Sequence, residues 1–464
     1  MKTLKNYLKN NNYLVVFSAS FFLLLFVGNV KGLVVIFAII FSLFYFFTES
    51  DILESTLLTL LVSLPFERHL RQWALYSPFI TDTSGYYFYF GISIKLFFGL
   101  VILMLLLTPK GRQFFKGAVL NKTSLTLLFF FTLATINSLL TSQRLIFPFT
   151  GYVRLGFAIF LFYLGQSFWL PKNYHKISAY FTALSFIIIF FSFRQIILQH
   201  PIGHFLELTP SFSPQGYYTT DGIPQYRVAG FFSHPVYFGS FICLIIPVFL
   251  GLQRYKPLLS LPVIGLLTVS SLSTQSRSVW ISLLFLLISY FVFFLKSNKK
   301  ILLTILFVFL TIFTILSLTR LSSITTLFEG GNSGIARLNH LYLTFDIFKS
   351  SPLTGVGLNN FSYETYQQHF TNYFAAPPHN TILIFLTELG LPTTLLFLAF
   401  LTYLLWPTTN IFRWPILKFS LWLSLITFII SSQFHPLFNL DPTFEFFMLI
   451  AGIYSKICAT PQST

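Results

Sequence analysis

The sequence predicts an all-α, polytopic integral membrane protein with 12–14 transmembrane helices and a long external loop that carries amphipathic helix. Three observations predict it. Hydrophobic residues make up 55% of the chain and charged residues only 9%, more apolar surface than a water-soluble core can hide. Runs of about spanning length recur near 13–30, 33–48, 52–66, 89–107, 124–141, 151–170, 177–198, 230–251, 257–273, 279–295, 301–318, 380–406, 414–432 and 437–455. Lys and Arg concentrate in alternate loops between those runs.

Met1 to Asn12 are polar and basic, and the long run behind them is followed at once by another. This fits a first membrane helix better than a cleaved signal peptide. The third run is short enough for a half-span, and Pro247 and Gly265 are ordinary inside membrane helices. With the N-terminus in the cytoplasm, 17 Lys and Arg fall inside, 9 outside, and Lys95, Arg154 and Arg194 within spans. Both termini are then cytoplasmic, and loops 199–229 and 319–379 are external. The net charge of +16 sets orientation on this reading, and nucleic acid is not a partner. Loop 199–229, rich in Pro, Gly and Tyr, is expected to lack regular structure. Cys243 and Cys458 are too few for a disulfide framework or a metal cluster. No internal repeat, flexible linker or charge block breaks the chain into further domains.

Residues 320–392 hold the longest interval between hydrophobic runs. Leu338, Leu341, Tyr342, Phe345 and Phe348 fall on one face of a helix predicted over 337–349, which would lie along the membrane. Ser351-Pro352 ends it, and Gly355 and Gly357 allow a tight turn. Pro377-Pro378 then delivers His379 to the mouth of the next run, where Asn380 can cap the first turn.

Arg227, Arg277 and Arg337 stand out on the outer side. Each could be an interfacial arginine snorkelling to headgroups. The two long loops hold few acids to pair with them, namely Glu207, Asp221, Glu329, Asp346 and Glu364. Arginines in excess of carboxylates suit a phosphorylated ligand, since the guanidinium fork binds phosphate oxygens in pairs. His379 is the candidate general base, with a helix-mouth hydrogen-bonding role as the alternative. His234 also faces outward, whereas His340 and His369 read as loop surface. Glu388 is an acid inside a hydrophobic run, suited either to pairing with an arginine or to a role in the site. No carboxylate or histidine cluster has metal-ligand spacing, so neither a metal nor another cofactor is expected.

The order of motifs resembles the O-antigen ligase and polymerase superfamily of membrane glycosyltransferases. The residues concerned are Arg227-Val-Ala-Gly-Phe-Phe-Ser-His234 and onward to Gly239, Thr274-Gln-Ser-Arg277-Ser-Val-Trp280, Pro352-Leu-Thr-Gly-Val-Gly-Leu-Asn-Asn-Phe361, His379-Asn380 and Glu388-Leu-Gly-Leu-Pro392. The resemblance implies a GT-C-like fold in the bacterial inner membrane. It implies a polyprenyl-diphosphate-linked glycan as donor and a glycolipid or glycan hydroxyl as acceptor, with transfer by inversion and without metal. It places His379 as the base and the three arginines on the diphosphate, with Asn380, His234 and Glu388 in support. Thr393 departs from the pattern, where a glycine is common. The rival expectation is a secondary transporter of a small anion or solute, which should show inverted repeats or interrupted helices. The sequence shows neither.

Overall fold

The computed structural model describes residues 2–27, 30–48, 50–66, 121–141, 146–168, 173–204, 217–220, 223–232, 234–252, 257–294, 332–361, 364–365, 378–407, 409–439 and 441–459, with isolated positions between 99 and 112. Most of the run 89–107, the run 301–318, His369, Arg320 and the side chain of Arg337 lie outside the described residues.

The apolar runs become helices. They are α1 Lys2–Leu24, α2 Val30–Phe47, α3 Ile52–Ser63, α4 Lys122–Thr141, α5 Ile146–Phe168, α6 Tyr174–Leu198, α7 Pro235–Leu252, α8 Pro257–Leu272, α9 Arg277–Phe294, α10 Asn332–Ser350, α11 Thr381–Leu405, α12 Ile416–Ser432 and α13 Asp441–Ala459. Among the described residues, α4, α6, α7 and α11 are long and apolar enough to cross a membrane, and several shorter apolar helices pack with them. The chain is therefore a polytopic membrane protein of the all-α class, with one short strand pair among its described residues. Aromatic side chains such as Phe22, Phe26, Phe46 and Phe129 point out of the bundle, as a lipid-facing surface requires.

One continuous apolar core joins the helices other than α10. The α5/α13 crossing is close because Gly165 and Gly452 face each other's helix. A Cβ on Gly452 would come within 2.0 Å of the Phe162 carbonyl oxygen. The chain alternation sorts the connections into two ends. At one end His204 hydrogen-bonds the Leu25 carbonyl, Val228 N–H donates to the Ser273 carbonyl, and Asn380 bonds Gln433. At the other, Lys176 pairs with Glu54 and Asn121 bonds Ser455.

Loop 199–229 is not wholly irregular. Tyr217–Thr220 pairs antiparallel with Ile223–Tyr226, and Thr220 lies opposite Ile223. The sequence carried the signal. Asp221-Gly222 between two aromatic and β-branched stretches is a two-residue hairpin signature.

Helix α10 is longer than 337–349 and docks a different face from the predicted stripe. His340, Leu343, Thr344 and Ile347 are buried, and Leu343 and Ile347 form a small core with Val356 and Phe361. Leu338, Tyr342 and Phe345 stay exposed. Two stripes of helical spacing coexist on this helix, and periodicity cannot say which one meets protein.

The expectation of uninterrupted helices is overturned. Helix α11 breaks at Gly390, which has φ 75° and ψ 171°. Pro392 lacks an N–H and its ring excludes the Glu388 carbonyl from the helical ladder. The carbonyls of Thr387, Glu388 and Leu389 and the N–H of Leu391 nonetheless find partners. Val356 N–H donates to the Thr387 carbonyl (3.0 Å), Gly357 N–H to the Glu388 carbonyl (2.8 Å), and Leu391 N–H to the Pro352 carbonyl (2.9 Å). The Asn137 amide of α4 donates to the Leu389 carbonyl (3.0 Å) and to Thr393 Oγ1 (2.9 Å). Thr393, the departure from the superfamily pattern, thus serves as an acceptor here. The loop approaches so closely that a Cβ on Gly390 would sit 2.3 Å from the Leu353 carbonyl oxygen, and one on Gly355 2.4 Å from the Glu388 backbone.

Gly390→Ala should therefore destabilise the protein by at least about 1–3 kcal/mol, the cost of a glycine-only backbone region before any clash. Gly265→Ala is the control, because a Cβ there meets nothing within 4 Å. Thermal melting in nanodiscs should show a clear drop for the first and none for the second.

Candidate functional site

The site builds from the end of the bundle that holds His379. The segment leaving the hairpin is clamped from two sides. The buried Gln195 of α6 accepts from Ala229 N–H (3.0 Å) and Gly230 N–H (2.8 Å), and donates to the Gly230 carbonyl (2.7 Å). Arg227 Nε donates to the Thr274 carbonyl (3.1 Å). Thr274 lies in the turn just before Arg277, the first residue of α9. Arg227 and Arg277 therefore stand on adjoining backbone, both partly exposed.

His234 precedes α7. Its Nδ1 accepts from Val236 N–H (3.1 Å), so the ring proton resides on Nε2. Burial first, then the charge of Arg227, then His379 push its pKa down to about 3, which keeps the ring neutral at physiological pH. His234 is consequently neutral and a poor base. Tyr237, one turn on, packs its ring 5.0 Å from that of His234.

His379 is exposed at the mouth of α11. Asn380 caps the helix as expected, its Oδ1 accepting from Ile382 and Leu383 N–H (2.9 and 3.1 Å). Its amide also donates to the Gln433 carbonyl (3.3 Å) and Oε1 (3.2 Å), which ties this corner to the α12–α13 connection. Two further histidines meet His379. The ring of His435 lies 5.5 Å away and edge-on at 80°, and that of His340 lies 6.1 Å away. His435 in turn lies 6.4 Å from His234. The imidazoles of His340, His379, His435 and His234 thus form a chain that leads toward Arg227. Among the described residues no three His, Cys, Asp or Glu side chains are placed to hold one metal ion.

His340 is a correction to the sequence reading. It is buried at the site, not loop surface, because Leu343 and Ile347 turn that face of α10 inward. His435 and Gln433 were missed altogether. Their signal was available, since the connection between the last two runs falls on the same side as His379 by simple alternation. Arg337 is on α10 one turn before His340.

Glu388 lies apart from the histidines. Its carboxylate accepts from Asn359 N–H (2.8 Å) and Phe361 N–H (3.2 Å), and so anchors the loop 352–361. With Arg154, Asn359 and Leu358 it lines a cavity of about 40 Å³, room for a few waters. Ser138 Oγ holds the same loop by accepting from Leu358 N–H (2.9 Å).

The family model for O-antigen ligase matches residues 262–398. Over that segment the chain is similar to O-antigen ligases, which supports a relationship to the O-antigen ligase and polymerase superfamily. The match takes in α8 through the broken helix α11, with the docked loop and His379 inside it. Arg227, His234 and His435 lie outside the matched segment and join it only in three dimensions. No curated protein matches the chain.

Glu388→Gln keeps the shape but replaces one of the two oxygens that accept from the loop amides with an amide donor. A buried amide left without its acceptor costs about 1–3 kcal/mol. Hydrogen exchange at residues 355–361 should accelerate in this variant while the amides of α7 and α12 stay protected.

Proposed function

We propose that this protein is a membrane glycosyltransferase of the O-antigen ligase or polymerase type. The donor is a polyprenyl-diphosphate-linked glycan and the acceptor a sugar hydroxyl on a glycolipid or growing glycan. The site faces the outer leaflet of the bacterial inner membrane, with both termini in the cytoplasm, following the bias of 17 to 9 in Lys and Arg. The observation that carries the reading is the proximity of His379 to the Arg227 side of the site, through His435 and His234, in a chain with the O-antigen ligase match.

Arg227, Arg277 and Arg337 hold the donor diphosphate and stabilise the charge it gains on leaving. His379 removes the proton from the acceptor hydroxyl. The oxygen attacks the anomeric carbon, the bond to the diphosphate oxygen breaks, and configuration inverts. The arginines fill the place a divalent cation takes in other transferases, so the reaction needs no metal. His234, neutral and protonated on Nε2, does not compete for the proton. The exposed stripe of Leu338, Tyr342 and Phe345 lets α10 rest on the membrane beside the lipid-linked donor.

The break in α11 is the observation that favours the transporter reading, because interrupted helices commonly line solute sites. Here the freed backbone groups are occupied by residues 352–357 and Asn137. That leaves the enzyme reading ahead.

Donor binding and single-turnover transfer in nanodiscs separate the two. Arg227→Lys keeps the charge and loses the fork, and should weaken donor binding. His379→Ala should leave binding near wild type and slow transfer by about 10²–10⁴-fold. Transfer at the wild-type rate by His379→Ala would remove His379 as the base. Accumulation of a solute by proteoliposomes would favour the rival.

A further inference from the structure

His435 sits at the joint of the site. It is the residue whose ring meets both His379 and the His234–Tyr237 pair, with centroids 5.5 Å from His379 and 6.4 Å from each of the others. Its own position is fixed. The ring is buried, its carbonyl accepts from Leu437 N–H (2.8 Å), and Thr443 Oγ1 holds the turn by donating to the Leu437 carbonyl (2.8 Å). Gln433 is fixed as well. Its amide donates to the Ile429 carbonyl (3.1 Å), which turns Oε1 toward Asn380. His379 is exposed at the mouth of α11, and the orientation of its imidazole depends on what its two side-chain torsions are set against. The edge-on ring of His435 is a wall there, set beside a backbone corner already tied by Asn380 and Gln433.

We propose that His435 is a positioning residue for His379, holding its imidazole in one orientation toward the Arg227 side of the site by edge-to-face ring contact. The proposal rests on His379 acting as the base. General-base transfer depends on geometry, and a misplacement of about 1 Å can cost on the order of 10²-fold in rate. His435 touches no reacting atom in this scheme. It acts through His379, and that dependence is what can be measured.

The experiment is a double-mutant cycle on single-turnover transfer, using the native lipid-linked glycan extracted from the source membranes. Undecaprenyl diphosphate serves as the binding probe, and melting temperature as the folding control. His435→Ala should slow transfer by on the order of 10²-fold and leave binding of the probe unchanged. His435→Phe, which keeps a ring wall without titratable nitrogens, should recover much of that loss. In a His379→Ala background, His435→Ala should cause no further loss. A wild-type rate for His435→Ala would overturn the proposal, and so would an equal loss with His379 already removed. If His435→Ala does not fold, His435→Phe against His435→Gln decides, and a Gln variant as fast as the Phe variant overturns ring positioning. A normal rate for His379→Ala would instead remove the base assignment, and His435 with it.

Discussion

The structure depends on how a broken helix is made tolerable in an apolar setting. Gly390 leaves the helical conformation and Pro392 removes a ladder bond, which frees carbonyls at Thr387, Glu388 and Leu389 and the N–H of Leu391. Each such group left unpaired away from water costs several kcal/mol. Four together would rival the roughly 5–15 kcal/mol net stability of a typical domain. The chain supplies its own partners from residues 352–357 and from Asn137. That requirement fixes the loop in depth and register, because Gly355 and Gly390 must pass with no side chain between them.

The rest of the site follows from the docked loop. Val356 and Phe361 give α10 a surface for Leu343 and Ile347, and this carries His340 to the ring of His379. Glu388 works on the same task, as an anchor for the amides of Asn359 and Phe361. A second tie, from Asn380 to Gln433, brings the α12–α13 turn and His435 against His379. The clamp of Gln195 and the Thr274 carbonyl places Arg227 next to the turn that leads to Arg277. Chain segments distant in sequence thus converge on one end of the bundle, each held by hydrogen bonds that an apolar environment makes hard to forgo.

Much of the fold was legible because a membrane helix needs one local property, a long apolar run. Helices such as 174–198, 257–272 and 381–405 fall within a few residues of the runs that foretell them. The cap at Asn380 was legible too, since it depends on neighbours two and three residues away. What the sequence hid depends on partners far along the chain. Asn137 meets the Leu389 carbonyl across 252 positions, and no periodicity encodes that. The break at Gly390 was hidden because its cost is met elsewhere. His340 was misplaced because two stripes on α10 compete and only packing chooses. His435 and the pairing of Tyr217–Thr220 with Ile223–Tyr226 are different. Their signals were present, but they sat in short polar connections that attract less notice than the long loop.

On the proposed function, the docked loop and broken helix help to assemble a diphosphate site in front of His379. The most direct test is an experimental structure in nanodiscs with undecaprenyl diphosphate bound. The diphosphate should lie within hydrogen-bonding distance of Arg227 and Arg277, with the His379 imidazole turned toward it. A diphosphate bound at the opposite end of the bundle, or one contacted by neither arginine, would contradict that function.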